Sequence, residues 1–332
     1  MEWDPTQFFR GDSDSPPAPF ALLILNHPIN EKAYDVLQKH AMITVCVDGG
    51  ANHFYEMMKA KGRENSHIKH PNIIIGDLDS IRPAVRTHYE SHGVNVIYHH
   101  DEYCTDFTKA LRYIRAHVDE ILPSTSTTTT TTTTAITNET QHPPKNDNEK
   151  GNDLTILILG GLGGRVDQAF SQIHHLYSHS TDTTPESTQT RNKTGHLYLI
   201  SEESITFILH PGRNIIRTPR ARCIPSPSTP TPTPTPTTSK NTKQTAEEKE
   251  KEEEEEEEEG TYLLEENVGM IPLHGIERIT TKGFQWDVEE WETVMGGQLS
   301  TSNHIRAEEV EVRCGGALLM TLELAGRFKR VI

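Results

Sequence analysis

Cysteine is scarce in this 332-residue chain, and its four copies, Cys46, Cys104, Cys223 and Cys314, are scattered with no C-x-x-C spacing. That argues against a zinc-binding or disulfide framework and fits a reducing compartment. Long apolar runs are missing too, since none approaches the roughly 18 residues that a membrane-crossing helix needs. There is no basic excess: 32 Lys and Arg stand against 48 Asp and Glu, which leaves no electrostatic footprint for nucleic acid. The net charge of −16 overstates the acidity of the rest, because residues 247–259 alone hold eleven Glu against two Lys. Residues 1–19 are acidic and Pro-rich, unlike a secretory or mitochondrial leader. They are expected to form a disordered tail on a cytoplasmic protein.

What is present is an alternation of strand and helix patterns. Apolar runs at 21–26, 43–47, 72–76, 94–98 and 155–159 read as buried strands. Helical spacing appears at 31–40, after 52, at 83–91 and at 105–117, where Phe107, Ala110, Leu111 and Ile114 form one apolar face. Val166, Ala169, Phe170 and Ile173 mark the apolar face of a further helix. This order predicts βαβ units around a mostly parallel sheet with flanking helices, over residues 20–210. From residue 211 short β-like segments separated by Gly, Pro and Asn turns replace the helices, which predicts a smaller all-β sandwich over 211–332. Polar low-complexity stretches at about 123–153, 178–194 and 225–260 are expected to be disordered inserts, the last one a T-P repeat followed by the Glu run.

Chemistry concentrates where strands end. Residues 72–80 read N-I-I-I-G-D-L-D-S: a buried strand, a glycine turn, then Asp77 and Asp79. If the backbone stays extended there, alternation puts both carboxylates on one side. Taken alone, a solvated turn explains the pair better than a metal site does, so the other acids matter. Asp48 follows the second strand, Asp106 opens a helix, and Asp167 lies in the first turn of another. Ligands of an open α/β sheet bind outside the carboxyl ends of its strands. Acids converging there repel unless a counter-charge is present, and a divalent metal holding a polyphosphate supplies one.

Two glycine-rich turns have the same placement. D-G-G-A-N (residues 48–52) and G-G-L-G-G-R (160–165) each join a strand to a helix, where bare backbone N–H groups can approach phosphate. Neither is a Walker A loop, and a tight turn accounts for either alone. Arg165 is a cation for phosphate or a surface ion-pair partner. In T-D-F-T-K (105–109), Thr105 or Asp106 can cap the helix, and Lys109 lies one turn on along the same face. That arrangement is either a local ion pair or a metal-and-phosphate grip. Trp286, beside a glycine turn, can stack on a flat heterocycle, and the hydroxyls and amide of S-T-S-N (300–303) can read its polar edge. A core Trp and a polar hairpin explain them too.

Six motifs in order, V-D-G-G-A-N-H-F-Y, I-I-G-D-L-D-S-I, T-D-F-T-K-A-L, G-G-L-G-G-R-V-D-Q, K-G-F-Q-W-D-V and L-S-T-S-N, resemble thiamine pyrophosphokinases (thiamin diphosphokinases) of the fungal type. They span nearly the whole chain outside the inserts. The resemblance implies an α/β domain, a C-terminal β-sandwich and a homodimer with active sites between subunits. It implies Mg²⁺ at Asp48, Asp77, Asp79 and Asp106, with Asp77, Asp79 and Asp106 catalytic. ATP, the co-substrate, would contact Asp48, Gly49, Gly50, Asn52, Thr105, Lys109, Gly164, Arg165, Asp167 and Gln168. Thiamine would lie against Trp286, Ser300, Ser302 and Asn303. Glu102 stands where the family's glutamine is expected near thiamine, and the inserts at 123–153 and 225–260 are unusually long.

The implied reaction is pyrophosphate transfer from ATP to the thiamine hydroxyl, yielding thiamine diphosphate and AMP. Two alternatives remain at this level. A nucleotide-sugar transferase would use D-L-D as a D-x-D motif, and a non-catalytic nucleotide- or thiamine-binding regulator would act through its acidic insert.

Overall fold

The apolar runs of the first 200 residues become neighbouring strands of one sheet, buried on both faces. The computed structural model describes residues 1–11, 17–64, 70–122, 153–181, 194–219, 221 and 262–330. In chain order these form β1 (Glu2–Trp3), β2 (Phe20–Ile24), α1 (Glu31–Leu37), β3 (Ile43–Val47), α2 (Gly50–Ala60), β4 (Ile73–Gly76), α3 (Pro83–Ser91), β5 (Asn95–Tyr98) and α4 (Asp106–Ala116). Then come α5 (Val118–Ile121), β6 (Leu154–Leu159), α6 (Val166–Thr181), β7 (Thr194–Ile200), β8 (Ser204–Leu209) and β9 (Gly212–Arg217). The remainder is strand: β10 (Leu264–Pro272), β11 (Glu277–Lys282), β12 (Trp291–Thr293), β13 (Ser300–His304), β14 (Glu309–Cys314) and β15 (Leu318–Leu324).

Two sheets result. The larger runs β13-β10-β15-β8-β7-β6-β2-β3-β4-β5, parallel from β7 to β5 and antiparallel from β7 to β13. The smaller runs β1-β9-β14-β11-β12. The α/β architecture with a C-terminal β layer is as expected, with one addition: β10, β13 and β15 continue the parallel sheet instead of forming both sheets of a separate sandwich. Strand β2 shows why both faces are covered. Phe20, Leu22 and Ile24 enter a core with Tyr34, Phe54, Met57 and Tyr89, while Ala21 and Leu23 enter another with Phe107, Leu111, Ile114 and Leu176. Helices α1 to α3 and the small sheet therefore share one side, and α4 and α6 the other.

Residues 1–9 correct the expectation of a disordered tail. Strand β1 pairs with β9, Trp3 is buried, and its indole Nε1 donates to Asn214 Oδ1 at 3.0 Å. A 3₁₀ turn over Pro5–Phe9 buries Phe8 and Phe9 against Phe20, Tyr198 and Phe328. Three large aromatic rings within nine residues outweigh the acidic, Pro-rich composition. Residues 12–16 lie outside the described residues, as do 123–152, 182–193 and 225–260 of the expected inserts. Residues 178–181, assigned to an insert, belong to α6. The apolar face expected on α6 is also revised. Leu176 is buried, but Val166 and Phe170 are 69% and 62% exposed. No helix among the described residues is long and apolar enough to cross a membrane.

Candidate active site

The parallel strands end at one edge of the large sheet, and the order of β2 to β7 sets the site there. From β2 the chain proceeds through β3, β4 and β5 in one direction, then returns to place β6 and β7 on the other side. Such a reversal leaves a crevice between β2 and β6, the usual ligand position in doubly wound folds. Asn26 and His27 follow β2 into it, and the turn after β6 comes across from the other side. A Cβ on Gly163 would lie 2.5 Å from His27 Cε1, and one on Gly49 would lie 2.4 Å from Asn26 Nδ2. A side chain at either point would have to displace the Asn26 amide or the His27 ring. Asn26 and His27 carried no recognised signal in the sequence beyond being polar residues at the end of the first strand.

Beside this crevice three acids meet. Carboxylate oxygens of Asp48, Asp77 and Asp106 lie within 4.8 Å of one another. Asp48 has a positive φ of 39° at the end of β3, and its carboxylate is buried. Its two oxygens accept from Ser80 N and Ile81 N, both at 3.1 Å, which draws the loop after β4 over it. Burial raises the Asp48 pKa, opposed by the Ser80 and Ile81 hydrogen bonds. Asp106 Oδ1 accepts from Asp77 N at 3.0 Å. Gly76 is the floor of the cluster: a Cβ there would sit 2.7 Å from Asp48 Cβ and 3.2 Å from Asp106 Cγ.

Lys109 supplies an internal counter-charge. Its side chain is 1% exposed, with Nζ 2.8 Å from Asp106 Oδ1 and 3.6 Å from Asp77 Oδ2. Burial alone would lower its pKa, but Asp106 and then Asp77 outweigh that and hold it above the ordinary lysine value. In the structure Lys109 therefore makes the local ion pair that the sequence allowed. Its ammonium is buried among the acids and holds them together.

The other expected residues divide. Asp79 does not join the three acids. Leu78 has φ 60°, so the extended alternation assumed for D-L-D fails, and the exposed Asp79 accepts from Ser80 Oγ at 2.7 Å. Asn52 clamps the same loop, donating to Ser80 O at 2.9 Å and accepting from Arg82 N at 3.0 Å. Thr105 caps α4 by accepting from Thr108 N at 3.2 Å, and Thr108 Oγ1 lies 3.1 Å from His175 Nε2. Burial pushes His175 down to about 4. Arg165 and Asp167 are exposed and paired to each other at 2.6 Å, away from the acid cluster. Gly164 has φ 67° and faces His27, while Gln168 is exposed on α6. Glu102 lies in an exposed turn before α4.

The residues expected around a heterocycle form a second group. Asn303 is buried and uses its amide in both directions on Trp286, accepting from the backbone N at 3.1 Å and donating to the backbone O at 2.9 Å. Its amide positions Trp286, whose indole is 54% exposed. Ser300 and Ser302 lie on β13, the edge strand farthest from β5. Eight inter-strand spacings separate β13 from β4, about 30–40 Å across a twisted sheet. A cavity of about 480 Å³ lies between these groups, bordered by Gly161 and Gly163 on one side and by Asn267, Thr301 and Glu323 on the other. The acid trio is outside it.

Comparison with known proteins agrees with both halves of the chain. Residues 34–185 match the family model described as thiamin pyrophosphokinase, catalytic domain, and residues 252–319 match thiamin pyrophosphokinase, vitamin B1 binding domain. The chain is 25% identical to thiamine pyrophosphokinase 1 of Oryza sativa subsp. japonica over 94% of its own length and 90% of the relative's. It is 26% identical to thiamine pyrophosphokinase of Saccharomyces cerevisiae, covering 85% and 78%. Its fold superposes on the solved thiamin pyrophosphokinase from Candida albicans with a TM-score of 0.65 and 25% identity, covering 97% and 92%. With both of its domain models matched in order and relatives aligned along nearly its whole length, the chain belongs to the thiamin pyrophosphokinase family.

Proposed function

We propose that this protein transfers pyrophosphate from ATP to the hydroxyl of thiamine, releasing AMP, in a homodimer whose active sites lie between subunits. The acid trio with its buried lysine is the observation that carries the chemistry. Three carboxylates and one ammonium leave a formal charge of −2 at the strand ends, and hard oxygen donors suit Mg²⁺. Asp48, Asp77 and Asp106 would hold that ion, whose charge, when bound, offsets the negative charge of the ATP phosphates. The backbone around Gly49, Gly50, Gly163 and Gly164, packed against Asn26 and His27, forms the cradle for the nucleotide. Asp106 has one oxygen committed to Lys109 and the Asp77 amide. Its other oxygen is our candidate for orienting the thiamine hydroxyl and accepting its proton.

The distance between the acid trio and Trp286 supports the shared site. No single chain brings β13 and β4 together, and a bound ATP is far shorter than their separation. A second copy, placed so that its Trp286 and Ser300–His304 strand face the acid trio, closes the site and excludes water during transfer. The exposed Val166 and Phe170 on α6 give such a partner apolar surface to cover. Residues 20–210 then act as the nucleotide-binding part and 211–332 as the thiamine-binding part.

Incubation with ATP, Mg²⁺ and thiamine should yield AMP and thiamine diphosphate in equal amounts. ADP as the nucleotide product, or no product, would refute the assignment. The nucleotide-sugar alternative loses support because Leu78 turns Asp79 out of the acid cluster.

A further inference from the structure

Asp106 is the first residue of α4, so the place of its carboxylate depends on how that first turn is held. One oxygen is fixed from within the cluster, by the Asp77 amide and by Lys109. The backbone of the turn is fixed from α6. The two residues that follow Asp106 both touch His175 on that helix. The Phe107 and His175 rings meet edge to face, with centroids 4.9 Å apart and planes at 88°. Thr108 Oγ1 lies 3.1 Å from His175 Nε2.

The polar contact continues into the helix cap. Thr108 Oγ1 is 2.9 Å from Thr105 Oγ1, the oxygen that caps α4 by accepting from Thr108 N at 3.2 Å. His175, Thr108 and Thr105 therefore form one run of hydrogen bonds that ends on the residue before Asp106. Either imidazole tautomer completes it: the hydroxyls donate toward the ring, or the ring donates and the hydroxyls turn the other way. Leu111 and Ile114 share a core with Leu176, which holds the two helices together, but apolar packing has no direction. The hydrogen bond to His175 supplies one. Helix α6 also issues from the turn that carries Gly163 and Gly164, which face His27 across the crevice.

We infer that His175 is a positioning residue for Asp106, acting through Thr108 and Thr105 to align the first turn of α4 with that glycine turn. The inference rests on the reading of Asp106 as the group that helps to hold Mg²⁺ and orients the thiamine hydroxyl. Displacing a reacting group by about 1 Å can cost about 100-fold in rate, and a loosened turn costs part of that.

The test combines steady-state AMP release with thermal unfolding in chelator or Mg²⁺. His175→Leu keeps the packing against Phe107 and removes the hydrogen bond. It should lower kcat by about tenfold or more, with KM for ATP and for thiamine within about twofold of wild type. Thr108→Val deletes the other half of the same bond and should match it, and the two changes together should cost no more than either. His175→Gln, which restores a polar group, should recover most of the lost kcat. In an Asp106→Asn background His175→Leu should cost nothing further, whereas a general loss of structure would multiply with that of Asp106→Asn. The Tm increment given by Mg²⁺ should also shrink in His175→Leu, and this readout needs no turnover. An inactive wild type would therefore sink the proposed reaction and leave the Mg²⁺ increment to decide on His175. Unchanged kcat and Mg²⁺ increment in His175→Leu and Thr108→Val, or losses that multiply with that of Asp106→Asn, would overturn the assignment.

Discussion

Replacing Lys109 by methionine keeps the buried stem and removes the ammonium from beside Asp106 and Asp77. Breaking a buried ion pair by deleting one partner costs about 3–5 kcal/mol. Here the Asp106 and Asp77 side chains are 22% and 41% exposed, so water screens part of the loss. A cost of about 2–3 kcal/mol remains, or a fall of about 5–10 °C in Tm for a fold of this size. The loss should be largest in chelator at pH 7. It should shrink as pH falls and Asp48, whose pKa is raised by burial, takes up its proton and relieves the repulsion. Mg²⁺ replaces the missing charge, so its stabilising increment should be larger in Lys109→Met than in wild type. Thermal unfolding followed by circular dichroism, with chelator or with Mg²⁺, measures both quantities. Equal melting of the two proteins in chelator, or equal Mg²⁺ increments, would refute the view of Lys109 as the internal counter-charge of a metal site.

Three other expectations can be checked separately. Asp77→Ala should lower kcat by about 100-fold or more, whereas Asp79→Ala, outside the cluster, should stay within about tenfold of wild type in the AMP-release assay. Mixing inactive Asp77→Ala and Trp286→Ala proteins under conditions of subunit exchange should restore about a quarter of wild-type activity, because half the dimers then carry one intact shared site; no recovery would place each site within one chain. The depressed pKa of His175 predicts that stability is fully present above pH 6.5, where both folded and unfolded imidazoles are neutral. As pH falls toward about 4 the unfolded state protonates first, and stability should drop by on the order of 1–2 kcal/mol after allowance for solvent screening. Urea unfolding at pH 7 and pH 4.5 should show this slope in wild type and a reduced one in His175→Gln.

Much of the fold was legible along the chain because local pattern and tertiary role coincide. The run at 72–76 is apolar since both faces of β4 are buried, and Phe107, Ala110, Leu111 and Ile114 recur at helical spacing since α4 has one covered face. The pattern failed where a contact distant in sequence sets the outcome. The first nine residues look solvated until β9 offers a pairing edge and Phe20, Tyr198 and Phe328 offer a surface for their rings. On α6, Val166 and Phe170 match the helical apolar spacing, yet in a single chain they face outward.

The acids follow the same division. Residue type and position near strand ends and helix starts were enough to single out five acids, Asp48, Asp77, Asp79, Asp106 and Asp167, of which three meet. Which acids share a site depended on backbone torsions and burial that spacing does not encode. The positive φ of Leu78 turns Asp79 away, and Arg165 keeps Asp167 on the surface. Lys109 reads in sequence as a cation one turn along a helix. Only the packing of α4 against β4 makes it a buried counter-charge, since desolvation and two neighbouring carboxylates act on it together. The sequence by itself determined the strand–helix order, the family and the set of acids. The tertiary structure decided which of them converge, because convergence is set by strand order and burial and not by distance along the chain.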